Sequence, residues 1–304
     1  MGSGIETINA PKVFIILVNW NGWRDTIECL QSLEALDYPH KEVVVVDNGS
    51  TDQSVSKIQT EYPGITLLES KENTGFAGGN NLGINYAIEK DADYFWLLNN
   101  DTVVEKRALS ALVERMEENP AIGICGSKLI YYHQRDTIQA LAGGHYNKWL
   151  GVSTNIGGQA AVDVEINPEE VEDRLDFVIG ASMLVSREFI REVGLLNEEY
   201  FLYYEEIDWA ARAKGKFKVG FAPESIVYHK EGASIGGKQA LPAEKSRKSD
   251  YYQIKNRLKF TASFYPLYLP VVYATVILAI FNRALRGQWN RIPMIIKLMF
   301  SFNK

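Results

Sequence analysis

Three apolar runs, each ending in a cluster of Asn, Asp and Gly, restrict what this chain can fold into. Val13-Phe14-Ile15-Ile16-Leu17-Val18 stops at Asn19-Trp20-Asn21-Gly22, residues 43–46 stop at Asp47-Asn48-Gly49-Ser50-Thr51-Asp52, and residues 94–98 stop at Asn99-Asn100-Asp101. Apolar runs without polar alternation fit strands covered on both faces, the habit of parallel sheets. Residues 65–68 read as a further strand. Helical patterns lie between the runs: Trp23, Ile27, Leu30 and Leu33 share one side, and Asp25 and Glu28 have capping-box spacing at that helix's start. Residues 106–118 bury Leu109, Leu112, Val113 and Met116 and stop before Pro120. Strands alternating with helices at short spacing predict an α/β domain built on a mixed, mainly parallel sheet flanked by helices. The polar clusters then fall at the sheet's carboxyl edge, where open α/β sheets bind ligands.

Past residue 120 the pattern is mixed: 122–131, 177–185 and 225–228 read as strands, 230–247 as a loop, and 249–262 as a helix before a long apolar segment. The expected organisation is a tag or disordered start over 1–11, an α/β domain over 12–245 and a basic, aromatic helical segment over 246–304. Within the domain, 12–120 and 121–245 form two halves. The opening Met1-Gly2-Ser3-Gly4 reads as an expression scar rather than a myristoylation or secretory signal. Cys29 and Cys125 sit in apolar contexts without metal-ligand spacing, so a reducing compartment is expected.

The net charge of −6 is unevenly spread. From Lys245 to Lys304 eleven Lys and Arg face one acid, Asp250, so the tail carries about +10 and the remainder about −16. An acidic body argues against nucleic acid as the main partner. A basic, aromatic tail points to an anionic lipid surface.

Each polar cluster has a chemical and a structural reading. Asp47 or Asn48 can read a nucleobase edge, or the segment can simply cap the next helix. Glu72-Asn73-Thr74-Gly75-Phe76-Ala77-Gly78-Gly79-Asn80-Asn81-Leu82-Gly83 lets backbone approach an anion at a helix start, yet it matches neither a dinucleotide fingerprint nor a Walker A loop. Asp101 can hold a divalent cation against phosphate oxygens, or cap the following helix. Glu205, Glu206 and Asp208 follow an aromatic stretch. A carboxylate there suits a general base, although acids also suit a first turn and Asp208 has i,i+4 spacing to Arg212. His229 ends the last strand as a ligand or a structural histidine.

Taken in order, N-W-N-G, V-D-N-G-S-T-D, E-N-T-G-F-A-G-G-N-N-L-G, L-N-N-D and E-E-I-D-W resemble family 2 glycosyltransferases with the GT-A fold, and within them the rhamnosyltransferase-like branch. The resemblance spans roughly 12–260. It implies that Val18, Asn19, Asn21, Asp47 and Asn48 surround base and ribose, and that Asn73, Gly75, Gly78, Asn80 and Asn81 lie near ribose and diphosphate. Asn99-Asn100-Asp101 matches the family's D-x-D metal motif with Asn99 in place of the first acid, leaving Asp101 and His229 to hold Mg²⁺ or Mn²⁺. Glu206 falls at the catalytic-base position, with Asp208 as the other candidate, and Gly180, Ala181, Ser182 and Glu205 line the sugar and acceptor site. The implied reaction is inverting transfer from a nucleotide-sugar donor, dTDP-rhamnose first, to a glycan or lipid-linked glycan acceptor.

Residues 260–281 approach a membrane span in length, but Pro266 and Pro270 interrupt them and Tyr265, Tyr268 and Tyr273 suit an interface. The expectation is peripheral attachment at the inner face of the cell membrane, with a homo-oligomer contact as the alternative use of this surface. Two other functions compete. A sugar-nucleotide pyrophosphorylase would need an Arg-containing Gly-rich loop where Asn19-Trp20-Asn21-Gly22 stands, and a non-catalytic sugar-nucleotide-binding protein would tolerate Asn99.

Overall fold

The computed structural model describes residues 10–230 and 247–302, so most of the expected start over 1–11 and of the 230–247 loop lies outside the described residues. The first half runs β1 (Val13–Asn19), α1 (Trp23–Glu34), β2 (Lys41–Asp47), α2 (Ser54–Glu61), β3 (Thr66–Glu69), α3 (Gly75–Glu89), β4 (Tyr94–Asn99), β5 (Thr102–Val104) and α4 (Ala108–Glu118). There follow β6 (Ile122–Tyr131), β7 (Gln134–Leu141), β8 (Gly143–Asn147), β9 (Val152–Asn155), α5 (Pro168–Glu172), β10 (Phe177–Val178) and β11 (Ser182–Ser186). The domain ends with α6 (Arg187–Val193), α7 (Glu205–Ala213) and β12 (Lys218–His229). Three further helices complete the described chain: α8 (Arg247–Phe264), α9 (Leu269–Leu285) and α10 (Ile292–Ser301).

The main sheet has the order β3-β2-β1-β4-β11-β6-β12-β5, with β7 paired to β6. Its first four strands are parallel, as their apolar runs require, while β11 runs against both β4 and β6. The mixed sheet is therefore parallel chiefly in its first half, β1 to β4. Because β11 is reversed and β6 and β12 run with β4, the start of β11 and the ends of β1, β2, β4 and β12 meet at one edge. The run 177–185 is broken into β10 and β11 by the segment around Gly180 and Ala181.

Side chains alternate across β1. Val13, Ile15 and Leu17 pack with Leu30 and Leu33 of α1 and Leu109 and Leu112 of α4, while Phe14 and Ile16 pack with Ala77, Ile84 and Ala87 of α3. The capping box expected from Asp25 and Glu28 does not form: α1 starts after Gly22 without a side-chain cap, and both acids accept from Lys230 Nζ. That contact draws the end of β12 onto α1. Helices α8, α9 and α10 share a separate small core of Ile254, Leu258, Val272, Val276, Ile295 and Leu298. Asp250, wholly buried there, pairs with Arg283 at 2.9 Å and Arg291 at 2.6 Å, which makes removal of either arginine costly.

Candidate active site

A cavity of about 560 Å³ opens at the sheet edge where these strand ends converge. Val18, Asn48, Asn73, Gly75, Asn99, Asn100, Asp101 and His229 line it on the strand-end side, and Gly180, Ala181, Glu205 and Glu206 on the other. Asn48 is nearly inaccessible and organises its wall: its Oδ1 accepts from Thr74 N and Oγ1, and its Nδ2 donates to Gly75 O at 2.9 Å.

Other predicted residues are elsewhere. Asn19 Nδ2 donates to Asp47 Oδ2 at 2.8 Å, and Asp47 Oδ1 accepts from Ser50 N, so these two side chains fasten β1 to the turn after β2. Asn21, with φ 53°, accepts from Thr51 N and Asp52 N and folds the same turn. None of the three lines the cavity. The glycine-rich segment is a helix start rather than an open cradle. From Gly75 on it belongs to α3, and a Cβ on Gly79 would lie 2.7 Å from Val18 Cγ1, so this glycine lets α3 press onto the sheet. Gly78 packs on Thr74, Asn80 donates to Phe76 O, and Asn81 is tied to Leu196 and Glu198, all away from the cavity lining. Ser182 is buried between Trp96 Nε1 and Ser127 Oγ. Asp208 is 3% exposed, accepts from Arg212 Nε at 2.7 Å and is absent from the lining, so its i,i+4 reading prevails over the base reading.

Asp101 and His229 form the polar end of the strand wall. Asp101 Oδ1 lies 3.3 Å from His229 Nε2, is buried, and has no hydrogen-bond partner. Burial opposes ionisation of Asp101, but the adjacent His229 imidazole and the Lys230 ammonium outweigh it and hold the carboxyl below its usual range. His229 Nδ1 lies 2.9 Å from Gln139 Oε1, which accepts when Nδ1 carries the proton, while Nε2 faces Asp101 Oδ1 at 3.3 Å and Asn99 Nδ2 at 3.4 Å. Gln139 escaped sequence reading because its placement depends on a register shift. Leu129 pairs with Ala140 and Ile130 with Ile138, so Gln139 is the extra residue of a bulge that turns it toward the cavity. Among the described residues no three His, Cys, Asp or Glu cluster for a metal. An orphaned carboxylate oxygen beside an imidazole nitrogen nevertheless fits a divalent cation whose remaining ligands are phosphate and water.

The opposite wall is apolar and acidic. Glu205 is buried with Oε2 unpartnered, and burial together with the neighbouring Glu206 raises its pKa well above the carboxylate range. Burial pushes Glu206 up to about 7. Both follow Tyr203 and Tyr204, which have φ 70° and 76°. Left-handed conformations are outliers for bulky residues and cost about 1–3 kcal/mol each. Phe76, Gln139, Ser153, Asn155 and Lys248 also line the cavity, and no strand-end signal marks them.

A family model for glycosyl transferase family 2 matches residues 14–194. A hexosyltransferase of low-salt glycan biosynthesis from Haloferax volcanii is 26% identical over 205 residues, 66% of this chain and 61% of the relative. The N-acetylglucosaminyl-diphospho-decaprenol L-rhamnosyltransferase of Mycobacterium tuberculosis is 25% identical over 230 residues, covering 71% of this chain and 75% of its own. A dTDP-rhamnosyl transferase of Shigella flexneri is 24% identical over 205 residues, covering 66% and 62%. The chain thus spans about three fifths of the length of the first and third of these relatives. Among solved structures, a Pyrobaculum calidifontis mannosyltransferase with GDP-Man and Mn²⁺ superposes with TM-score 0.57 at 16% identity over 97% of this chain and 76% of its own. GalNAc-T7 with UDP, GalNAc and Mn²⁺ gives 0.67 at 17% over 88% and 50%. At these identities the likeness is one of fold, the GT-A architecture.

Proposed function

This chain belongs to glycosyl transferase family 2, and we propose that it moves a hexose from a nucleotide diphosphate to a hydroxyl of a lipid-linked or polysaccharide glycan, with inversion at the anomeric carbon. The observation that carries the reading is one cavity with an orphaned Asp101 oxygen beside His229 on one wall and the desolvated Glu205–Glu206 pair on the other. Asn48, Asn73 and Gly75 would position the nucleotide, with Gly180 and Ala181 under the sugar. Asp101 and His229 would hold Mg²⁺ or Mn²⁺, which when bound neutralises charge on the diphosphate.

Glu206 is the base in this reading. Its carboxylate takes the proton of the acceptor hydroxyl as that oxygen bonds to the anomeric carbon, and the bond to the diphosphate breaks on the opposite side. A carboxyl raised to about 7 is well matched to proton removal near neutrality. Burial and the neighbouring Glu206 favour the neutral form of Glu205, which limits the negative charge in the pocket. Rhamnose from dTDP-rhamnose is the leading donor, supported by the names of two relatives, and the context is cell-wall or polysaccharide biosynthesis.

The chain would work on the cytoplasmic membrane face, lying on the lipid. Pro266–Leu285 is long and apolar enough to span, and it leaves Leu267, Leu278, Phe281 and Leu285 between 60% and 90% exposed, beside Arg283 and Arg286. The prolines at its start and the aromatic residues Tyr268 and Trp289 at its ends favour an interfacial position. Incubating the protein with Mn²⁺, a polyprenyl-diphosphate-linked sugar and dTDP-rhamnose, UDP- or GDP-sugars, followed by NMR of the product linkage, tests the proposal. Transfer from one donor with inverted configuration supports it. Retained configuration, or no transfer from any donor despite nucleotide binding, contradicts it.

A further inference from the structure

We propose that α8 is a working part of the catalytic centre, with Asn256 as the positioning residue that holds the Tyr203–Tyr204 turn and so aims Glu205 and Glu206 into the cavity. The inference rests on the reading of Glu206 as the base, and it concerns a helix beyond the family-matched residues 14–194.

Two consecutive tyrosines at φ 70° and 76° form a turn that the chain does not adopt by local preference. Such a turn persists where its surroundings over-determine it. Here the surroundings come largely from one face of α8. Asn256 is wholly buried, and its Nδ2 donates to Leu202 O and Tyr203 O, both at 2.9 Å. One turn earlier the Tyr252 ring stacks on Phe201 with centroids 4.9 Å apart and planes 16° apart. Earlier still, Ser249 Oγ lies 2.9 Å from the Tyr203 hydroxyl. Residues 249, 252 and 256 are spaced i, i+3 and i+7, so these contacts fall on a single stripe of the helix.

The turn is also fixed at its other end: Phe201 O accepts from Phe76 N at 3.0 Å, and Tyr204 hydroxyl donates to Gly151 O at 2.6 Å. Between these anchors the carbonyls of Leu202 and Tyr203 both accept from the Asn256 amide. Asn256 makes these bonds at a cost to itself, because its buried Oδ1 has no hydrogen-bond partner. Asparagine is also a poor residue for a helix interior. A side chain chosen for packing or helix propensity would not be asparagine here. Its two donors, pointed at two carbonyls just before the acidic pair, are what the position supplies.

The test compares kcat with donor binding. Asn256→Ala should lower kcat by about 10–100-fold through misplacement of the base. The KM for the donor, and the thermal shift given by the nucleoside diphosphate with Mn²⁺, should stay within about twofold, because the strand wall is untouched. The diagnostic step is rescue. Glycine adopts the left-handed region without penalty, so in a Tyr203→Gly background Asn256→Ala should cost less than about threefold. If Asn256→Ala does not fold, Asn256→Ser keeps one donor and is read in the same way. Unchanged kcat, a loss confined to KM, or full additivity with Tyr203→Gly would overturn the proposal. Glu206→Gln, assayed in parallel, separates the two readings. Turnover surviving Glu206→Gln but lost in Asn256→Ala removes the base assignment and leaves the turn's role standing. Turnover lost in Glu206→Gln but intact in Asn256→Ala removes the positioning role alone.

Discussion

The two walls of the cavity are built by opposite means. The strand wall is assembled from the ends of β1, β2, β4 and β12, elements whose hydrophobic cores fix the edge before any ligand is considered. The acidic wall hangs on the segment between β10 and β11 and on a left-handed turn braced by α8, some fifty residues further along the chain. A rigid wall suits a donor whose nucleotide must be placed the same way each time. A braced, strained wall can carry two desolvated carboxyls because its geometry is enforced from outside. Damage to the first should therefore remove binding and turnover together, and damage to the second turnover alone.

Asp101→Asn should break the strand wall most severely, lowering kcat/KM by about 10³-fold or more and abolishing the Mn²⁺-dependent part of nucleotide binding measured by calorimetry. Gln139→Ala should weaken the same site less, by about 10–100-fold in metal affinity, because it frees the His229 ring rather than deleting a ligand. On the acidic wall, the raised pKa of Glu206 sets the pH dependence. Its base form is lost as pH falls through about 7, so kcat/KM should drop about tenfold per pH unit below that point, rather than only below pH 4–5. Burial of Glu205 raises its folded-state pKa above the unfolded value. Its neutral form is thus favoured in the fold, and stability is lost as pH rises from the ordinary carboxylate range through the folded value. Glu205→Gln should accordingly raise stability at pH 8 and leave it unchanged near pH 4, as read by denaturant unfolding. The smallest effect on chemistry belongs to Phe281→Glu on α9. It should reduce flotation with anionic liposomes while leaving kcat on a water-soluble acceptor within about twofold.

The same contrast explains what could be read from sequence. Continuous apolar runs betray buried strands, and the polar residues that end them share an edge, so Asn48 and Asp101 could be placed together from pattern, whereas His229 joined them only through the family resemblance. The helix that starts with Glu205 was equally visible. The glycine-rich segment divides because glycine serves both close ligand approach and close packing: Asn73 and Gly75 line the cavity, and Gly79 packs against Val18. Asn19 and Asp47 lie outside the cavity lining because a strand-end polar group can satisfy its neighbour as readily as a ligand, at 2.8 Å here. Asp208 had both readings in its spacing, and Arg212 took it. Gln139, Lys248 and Asn256 were illegible for a different reason: a bulge places the first, and contacts across long sequence separations place the others.

The most direct test of the two-wall account is a paired measurement on Glu206→Gln: single-turnover transfer, and Mn²⁺-dependent nucleoside diphosphate affinity. The account predicts a rate lowered by about 10²–10⁴-fold with affinity unchanged within about twofold. A near-normal rate, or a rate and an affinity that fall together, would contradict it.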